Sequence, residues 1–593
     1  MPKPPPAPVE YRVSFPKPWT HLFEVRMTVR GLNGDAADLV MPAWAPGSYK
    51  IRDFAKHVQD LACADGAGRP LSVAKTDKCT WRVTLNGSRS LSAFYRVYAN
   101  ELTVQTSHLD DTHAYFNGTS LFLYADGLLR MPHRVRLDVP KGWRTTTGLE
   151  PVPGLRHVYE APDYDVLVDC PVEIGTHRVR RFEHRGVPHE VAFHGSTFSF
   201  PEAKAVADIR KIVAVEAEMF SGLPYRHYHF LFHLTDGAVN GLEHLNSTTI
   251  RLPHGLMADK DGYDQFLYVT SHEFFHLWNV KRIRSAVLGP FDYKRENYTK
   301  LLWVHEGLTS FYDELFICRA GIKTPRQYLD KTCEHVERVQ NIPGRLRQPL
   351  SASSFDTWIK LYQPDENTPN DQMSYYEKGQ LVGLLLDLEI RGRTRNRRSL
   401  DDVMRHLWTG FGRRGQGFPE EYILPAVNAV AGVPFDRFFA DFVDGTKELD
   451  YDAGLVHAGL RLVKKPKEEN GKPVPPKAWM GILTEARDGR IRITSVVDGA
   501  PAAASGLNAF DELVAIDGAR IAPPSWPKPL EERKPGQTVE FTVFRHDRMR
   551  KFRLRLGRRE QFTWKIEKLP KATPLQKAVF KGWVQNGTWD KLA

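Results

Sequence analysis

The stretch from Val269 to Arg284 contains His-Glu-x-x-His, as His272, Glu273 and His276. Histidines four apart stand on one face of a helix, so both imidazoles can hold a single ion. Glu273, turned by about 100° from His272, can reach a water on that ion rather than the ion itself. Zinc suits this donor set, because two imidazoles and a carboxylate with an open fourth position make a catalytic site. A third ligand must come from elsewhere, and a carboxylate on a second helix is expected. Glu306, in the helical pattern KLLWVHEGLTSFYDELFICRAG, is the preferred candidate. Glu296 competes with it but lies in DYKRENY, a polar stretch that reads as a loop. Thr309, Ser310 and Asp313 share the face of Glu306. Asp313 is either an acceptor for the free N–H of a metal-bound histidine or a solvated carboxylate.

Two further stretches carry groups of the right kind. TDGAVNGLEHLNSTTI reads as a Gly-rich turn and a polar strand, the edge of a cleft where backbone groups can pair with an extended peptide. Its Glu243 is a carboxylate with no task in the metal set. An aminopeptidase needs such a group for the α-ammonium of its substrate; an ordinary loop carboxylate is the other reading. NDQMSYYEKGQLVGLLLDLEI sets Tyr375 and Tyr376 just before an apolar helix. A phenol beside a metal can donate a hydrogen bond to a tetrahedral oxyanion, whereas two core tyrosines would only pack.

The elements that must position these groups read as a multidomain α+β protein. At 593 residues the chain exceeds one core. Residues 1–180 form an N-terminal all-β domain, with strands expected in HLFEVRMTVRGL, CTWRVTLN, LSAFYRVYA, TSLFLYA and HRVRLDV. MPAWAPGSYKIRDF reads as a turn-rich connection, and nothing in this half carries obvious chemistry. Residues 181–345 hold HEVAFHG and HYHFLFHL as strands around a long helix, followed by the motif helix; residues 346–463 are helical. The charged, proline-rich residues 464–478 read as a linker, 479–558 as a compact unit, and 559–593 as a helical tail that packs back on the body.

The start of the chain lacks a secretory pattern, and no run approaches the roughly 20 apolar residues of a membrane span. Five scattered cysteines form no disulfide framework, which places the expected location in the cytoplasm. The net charge of +11 is modest for this length. The cluster Arg391 to Arg398 lacks interleaved aromatics, so a solvated surface is expected rather than a nucleic-acid partner.

Taken together, GLEH, HEFFHLWNVKRIR, WVHEG and YYEKG resemble the gluzincin aminopeptidases, and among them the PDZ-bearing glycyl aminopeptidases of metallopeptidase family sixty-one. The early MPAWAPGSYKIRDF is similar to that family's N-terminal domain. WMGI and APAAASGLNAFDELVAIDG look like the peptide-binding loop and the helix-and-strand signature of a PDZ domain. The resemblance implies a thermolysin-like catalytic domain with one Zn2+ on His272, His276 and Glu306, and Glu273 as general base. Tyr376 would stabilise the oxyanion, and Glu243 with Gly241 would bind the substrate amine. It also implies removal of an N-terminal glycine or other small residue, from peptides with a free N-terminus, and a C-terminal peptide ligand at the PDZ domain.

Twenty-nine residues, 277 to 305, separate His276 from Glu306, matching the longer insertion of this family. His244 stands where the wider superfamily has an amide. The rival expectations are a thermolysin-type endopeptidase and a PDZ scaffold with an inactive peptidase body.

Overall fold

The structure is a computed structural model that describes residues 6–196 and 200–592. Its chain falls into two compact units. The first comprises the chain up to Thr299 with Tyr312–Ile322 and Val403–Ile423; the second comprises Lys300–Phe311, Lys323–Asp402 and Leu424 onwards.

Alternating apolar residues build the β half of the first unit. Strand Leu22–Arg30 buries Phe23, Val25, Met27 and Val29 on one face. It pairs antiparallel with Val9–Ser14 and Ser90–Tyr98 at the centre of an eight-stranded sheet. Two four-stranded sheets complete this half. One contains His113–Phe116 beside Val172–Gly175, and the other contains Ala36–Val40 beside Thr80–Thr84.

One expected strand is not there. In TSLFLYA only Tyr124–Ala125 is strand, and Gly118–Ser120 is a 3-10 turn capped by the Asn117 side chain. The run Leu121 to Leu123 is buried on every side, so it lacks the alternation of a one-faced strand. Its backbone groups are met by phenols instead. Tyr11 donates to the Leu123 carbonyl at 2.7 Å, Tyr164 to Phe122 at 2.6 Å and Tyr95 to Leu121 at 3.1 Å.

The other half of this unit is built on a five-stranded sheet ordered Arg178–His184, Val187–Gly195, Tyr228–Leu234, Ser247–Leu252 and Asn240–Glu243. Asn240–Glu243 runs antiparallel at its edge, Gly241 opposite Ile250 and Glu243 opposite Thr248. Helix Lys260–Phe275 packs on this edge, and Asp259 caps it by accepting from Gly262 N–H at 2.7 Å. The motif stretch is therefore helical only to Phe275, with His276 as the closing residue. Beyond it the backbone tightens into turns, and Arg282 donates at 2.7 Å to the carbonyls of both Leu277 and Leu245.

In the second unit, helices Pro325–Gln340 and Glu377–Arg393 pack together, and a further sheet is ordered Ile482–Arg487, Arg490–Val496, Glu512–Ile516, Thr538–Arg545 and Arg548–Arg555. The expected linker contains strand. Leu460–Pro466 pairs with Phe562–Lys568, and the Lys464 ammonium lies over the rings of Phe562 and Trp564. Asn470 and Gly471 both take positive φ, the signature of a tight hairpin turn, between Glu468–Glu469 and Lys472–Pro473. After that strand the tail is helical over Pro574–Val584, with Trp583 fully buried.

Tyr164→Phe removes the donor to the Phe122 carbonyl without opening a large cavity. Leaving that carbonyl unsatisfied is expected to cost about 1–3 kcal/mol, read as a lowered thermal midpoint with the ring packing retained.

Candidate metal centre

The double phenylalanine of HEFFH fixes how the motif helix sits. Phe274 packs on Tyr228 and Phe230 of the sheet, with ring centroids at 5.0 and 5.7 Å. Phe275, a helical step on, packs on Tyr312 and Phe316 at 5.0 and 5.3 Å. Burial on both flanks leaves His272, Glu273 and His276 little rotational freedom.

In each histidine Nδ1 is engaged. His272 Nδ1 bonds Asp313 Oδ2 at 2.9 Å, and His276 Nδ1 bonds the Asn279 carbonyl at 2.7 Å. With both Nδ1 atoms acting as donors, both Nε2 atoms are left as lone-pair donors for an ion. Asp313 is thus a partner of His272, the role the helical spacing allowed it.

Glu306 is on a π-helical turn, Trp303–Gly307, that runs unbroken into helix Leu308–Arg319 and so into Asp313. One donor atom each from His272, His276 and Glu306 lies within 4.8 Å of the others. Two imidazole nitrogens and a buried carboxylate oxygen fit a zinc-type ion. Glu296 lies in a loop and is in no metal-competent group of the described residues.

Glu243, Glu273 and His276 form a second such group within 4.8 Å, so Glu243 faces the same centre. Gly241 is a glycine for a steric reason: a Cβ there would stand 2.1 Å from Glu273 Oε1. His244 turns away from the centre, its Nδ1 at 3.4 Å from Asp169, which also accepts from Leu245 N–H at 2.7 Å and pairs with Lys281 at 2.5 Å. Burial works to raise the Asp169 pKa, but Lys281 and His244 hold it below the usual carboxylate value.

Tyr376 caps helix Glu377–Arg393. Burial, with the nearby Glu306 carboxylate and Tyr362, pushes its phenol well above the ordinary value, so it stays protonated and able to donate. Tyr375 is a core residue, fully buried with its hydroxyl 3.1 Å from Thr357 Oγ1. Close helix packing sets this arrangement: a Cβ on Gly307 would stand 2.6 Å from the Tyr375 carbonyl and 2.7 Å from Gly379 Cα.

Two contributors escaped the sequence reading. The loop after Met41 reaches this centre, since a Cβ on Gly47, at φ +89°, would stand 2.5 Å from Glu243 Oε1. Trp44, Gly47, Tyr49, Asp169, Glu243 and His244 line a cavity of about 50 Å³. The Pro-Gly turn in that loop was its only signal. The second is Glu216, fully buried, which accepts from Ser271 Oγ at 2.8 Å. Burial raises its pKa well above the usual carboxylate range, and the nearby Asp313 carboxylate acts in the same direction.

Family models match three segments: the peptidase M61 N-terminal domain at residues 10–176, the M61 glycyl aminopeptidase at 265–382, and a PDZ domain at 478–556. The crystal structure of an aminopeptidase N family protein from Idiomarina loihiensis is similar at 30% identity and a TM-score of 0.89, covering 97% of this chain and 100% of that one. An M1 zinc metallopeptidase from Deinococcus radiodurans is similar at 14% identity and a TM-score of 0.47, covering 74% of this chain and 94% of that one. No similar curated protein was found.

Asp313→Asn is expected to weaken metal binding by about 10–100-fold, measured by competition with a chelator. Gly47→Ala must displace the Glu243 carboxylate, and a fall of about tenfold or more in kcat/KM is expected with metal content unchanged.

Proposed function

This chain belongs to the M61 glycyl aminopeptidase family and is a metallo-aminopeptidase, and from that premise we propose that it removes an N-terminal glycine or other small residue from peptides, using one zinc ion on His272, His276 and Glu306. The observation that carries the reading is the convergence of Glu243 on Glu273 and His276. An endopeptidase has no need of a carboxylate there, whereas a free α-ammonium requires one.

When bound, zinc supplies Lewis acidity, polarising a carbonyl and lowering the pKa of water towards about 7. Glu273, 6% exposed, accepts a proton from the attacking water and passes it to the leaving amine. The neutral Tyr376 phenol donates to the oxyanion as negative charge develops on it. Glu243, braced against Gly47 and beside Gly241, holds the ammonium and sets one residue as the length cut off. A small first side chain is supported by the confined cavity that Glu243 shares with Trp44 and Tyr49. The edge strand Asn240–Glu243 offers backbone groups to an extended substrate.

The PDZ unit, in this reading, takes the C-terminal segment of a substrate or partner. Its strand Ile482–Arg487 is at a sheet edge, and Trp479, Gly481 and Ile482 open on a recess of about 1120 Å³ lined also by Arg347, Lys464 and Arg559. Such a recess suits a terminal carboxylate. The division of labour places the β-domain in 1–180, the peptidase in 181–345, the helical domain in 346–463 and the PDZ unit in 479–558. Among the described residues no helix is long and apolar enough to cross a membrane. The five cysteines are buried and form no disulfide among the described residues, which supports a cytoplasmic setting.

Glu273→Gln is expected to retain zinc and lose about 10²–10⁴-fold in kcat. Turnover near that of the wild type would remove Glu273 from the mechanism. Glu243→Gln should raise KM for free-amine substrates more than it lowers kcat, and an unchanged KM would detach Glu243 from amine binding.

A further inference from the structure

A second group of donors lies apart from the peptidase centre, where the β-domain meets the five-stranded sheet of the same unit. Glu173, on Val172–Gly175, is fully buried, and its hydrogen bonds and ion pairs among the described residues are all to imidazoles. His113 Nε2 is 2.6 Å from Oε1, and His233 Nε2 is 2.9 Å from Oε2. His177 Nδ1 lies 3.8 Å from Oε1. His194, opposite His233 in strand register, stacks on His113 with ring centroids 3.5 Å apart. No lysine or arginine pairs with Glu173 among the described residues, so this buried carboxylate lacks the fixed cation that usually accompanies one.

We propose that His113, Glu173 and His194 hold a second divalent transition-metal ion of the zinc class, with His233 orienting the Glu173 carboxylate from its other oxygen. One donor atom from each of the three lies within 4.8 Å of the others, as in the peptidase set. Zinc needs donor separations of about 3.3 Å at its normal bond lengths, so the 2.6 Å His113–Glu173 contact must open and the stacked rings must splay. His194 is the member able to do this, because it is partly exposed and its ring makes no hydrogen bond among the described residues. It is also the route by which an ion would enter.

His113 Nδ1 and His233 Nδ1 are buried without a hydrogen-bond partner, so each ring holds one nitrogen that no protein group engages. A carboxylate with two imidazoles is a donor set that zinc, copper and nickel accept. The ion would tie strands His113–Phe116 and Val172–Gly175 to Val187–Gly195, beside the Tyr115 hydroxyl, which already donates to Thr249 Oγ1 at 3.1 Å. Its role is structural, since none of these side chains belongs to the peptidase centre.

The test counts metal on the full chain after dialysis against zinc, by elemental analysis. The wild type is expected to hold two ions per chain. His194→Ala should hold one and keep its arylamide hydrolysis, which also shows that it folds. His276→Ala, which leaves the second group intact, should hold one, and its melting temperature should rise with added zinc. One ion in the wild type that is lost in His276→Ala would overturn the proposal. So would two ions retained in His194→Ala. Cobalt added to His276→Ala gives a readout independent of the His194 variant: visible d–d absorption is expected, and its absence counts against the site.

Discussion

The hydrogen bond from His272 Nδ1 to Asp313 is the contact on which the peptidase centre depends. It joins the motif helix to the helix that carries Glu306 two turns earlier, and it fixes the tautomer in which His272 can bind a metal. Phe275 reinforces the same joint by packing on Tyr312, next to Asp313 in the chain, and on Phe316, nearly one turn further on. A loosened joint would misplace a ligand and its orienting group together. Rigid packing around a metal set is what keeps its geometry productive.

Glycines do the complementary work of letting groups approach. Gly241 admits the Glu273 carboxylate, Gly47 admits Glu243, and Gly307 admits the helix behind Tyr376. Each is a place where a methyl group would displace a functional carboxylate or separate two helices. The cleft is therefore shaped as much by absent side chains as by the polar ones that act in it. Glu243 is held from two directions, by its strand and by a loop nearly two hundred residues earlier in the chain.

Much of this was legible in the sequence because it is local. Residues four apart on a helix declare a shared face, so His272, His276 and the Glu306–Asp313 face could be read from spacing alone. The two strands on either side of the first long helix, Val187–Gly195 and Tyr228–Leu234, were legible from HEVAFHG and HYHFLFHL. Misreadings arose where partners are distant. Leu121 to Leu123 has a strand's composition but takes its hydrogen bonds from three tyrosines far away in the chain. The lysine- and proline-rich 464–478 has a linker's composition, but its first residues, Lys464 to Pro466, end a strand paired with Phe562–Lys568. Gly47 beside Glu243 had only the Pro-Gly turn as a signal, and the histidines around Glu173 had none, because each group is assembled from segments far apart in the chain.

The proposed aminopeptidase specificity rests on Glu243 reading a free N-terminus, and hydrolysis of matched arylamides tests this most directly. Glycyl and alanyl substrates would be assayed with the amine free and N-acetylated, with and without a zinc chelator. Cleavage of the free-amine substrates alone, abolished by the chelator, is the predicted result. Comparable cleavage of the N-acetylated substrates would contradict it and make this protein an endopeptidase.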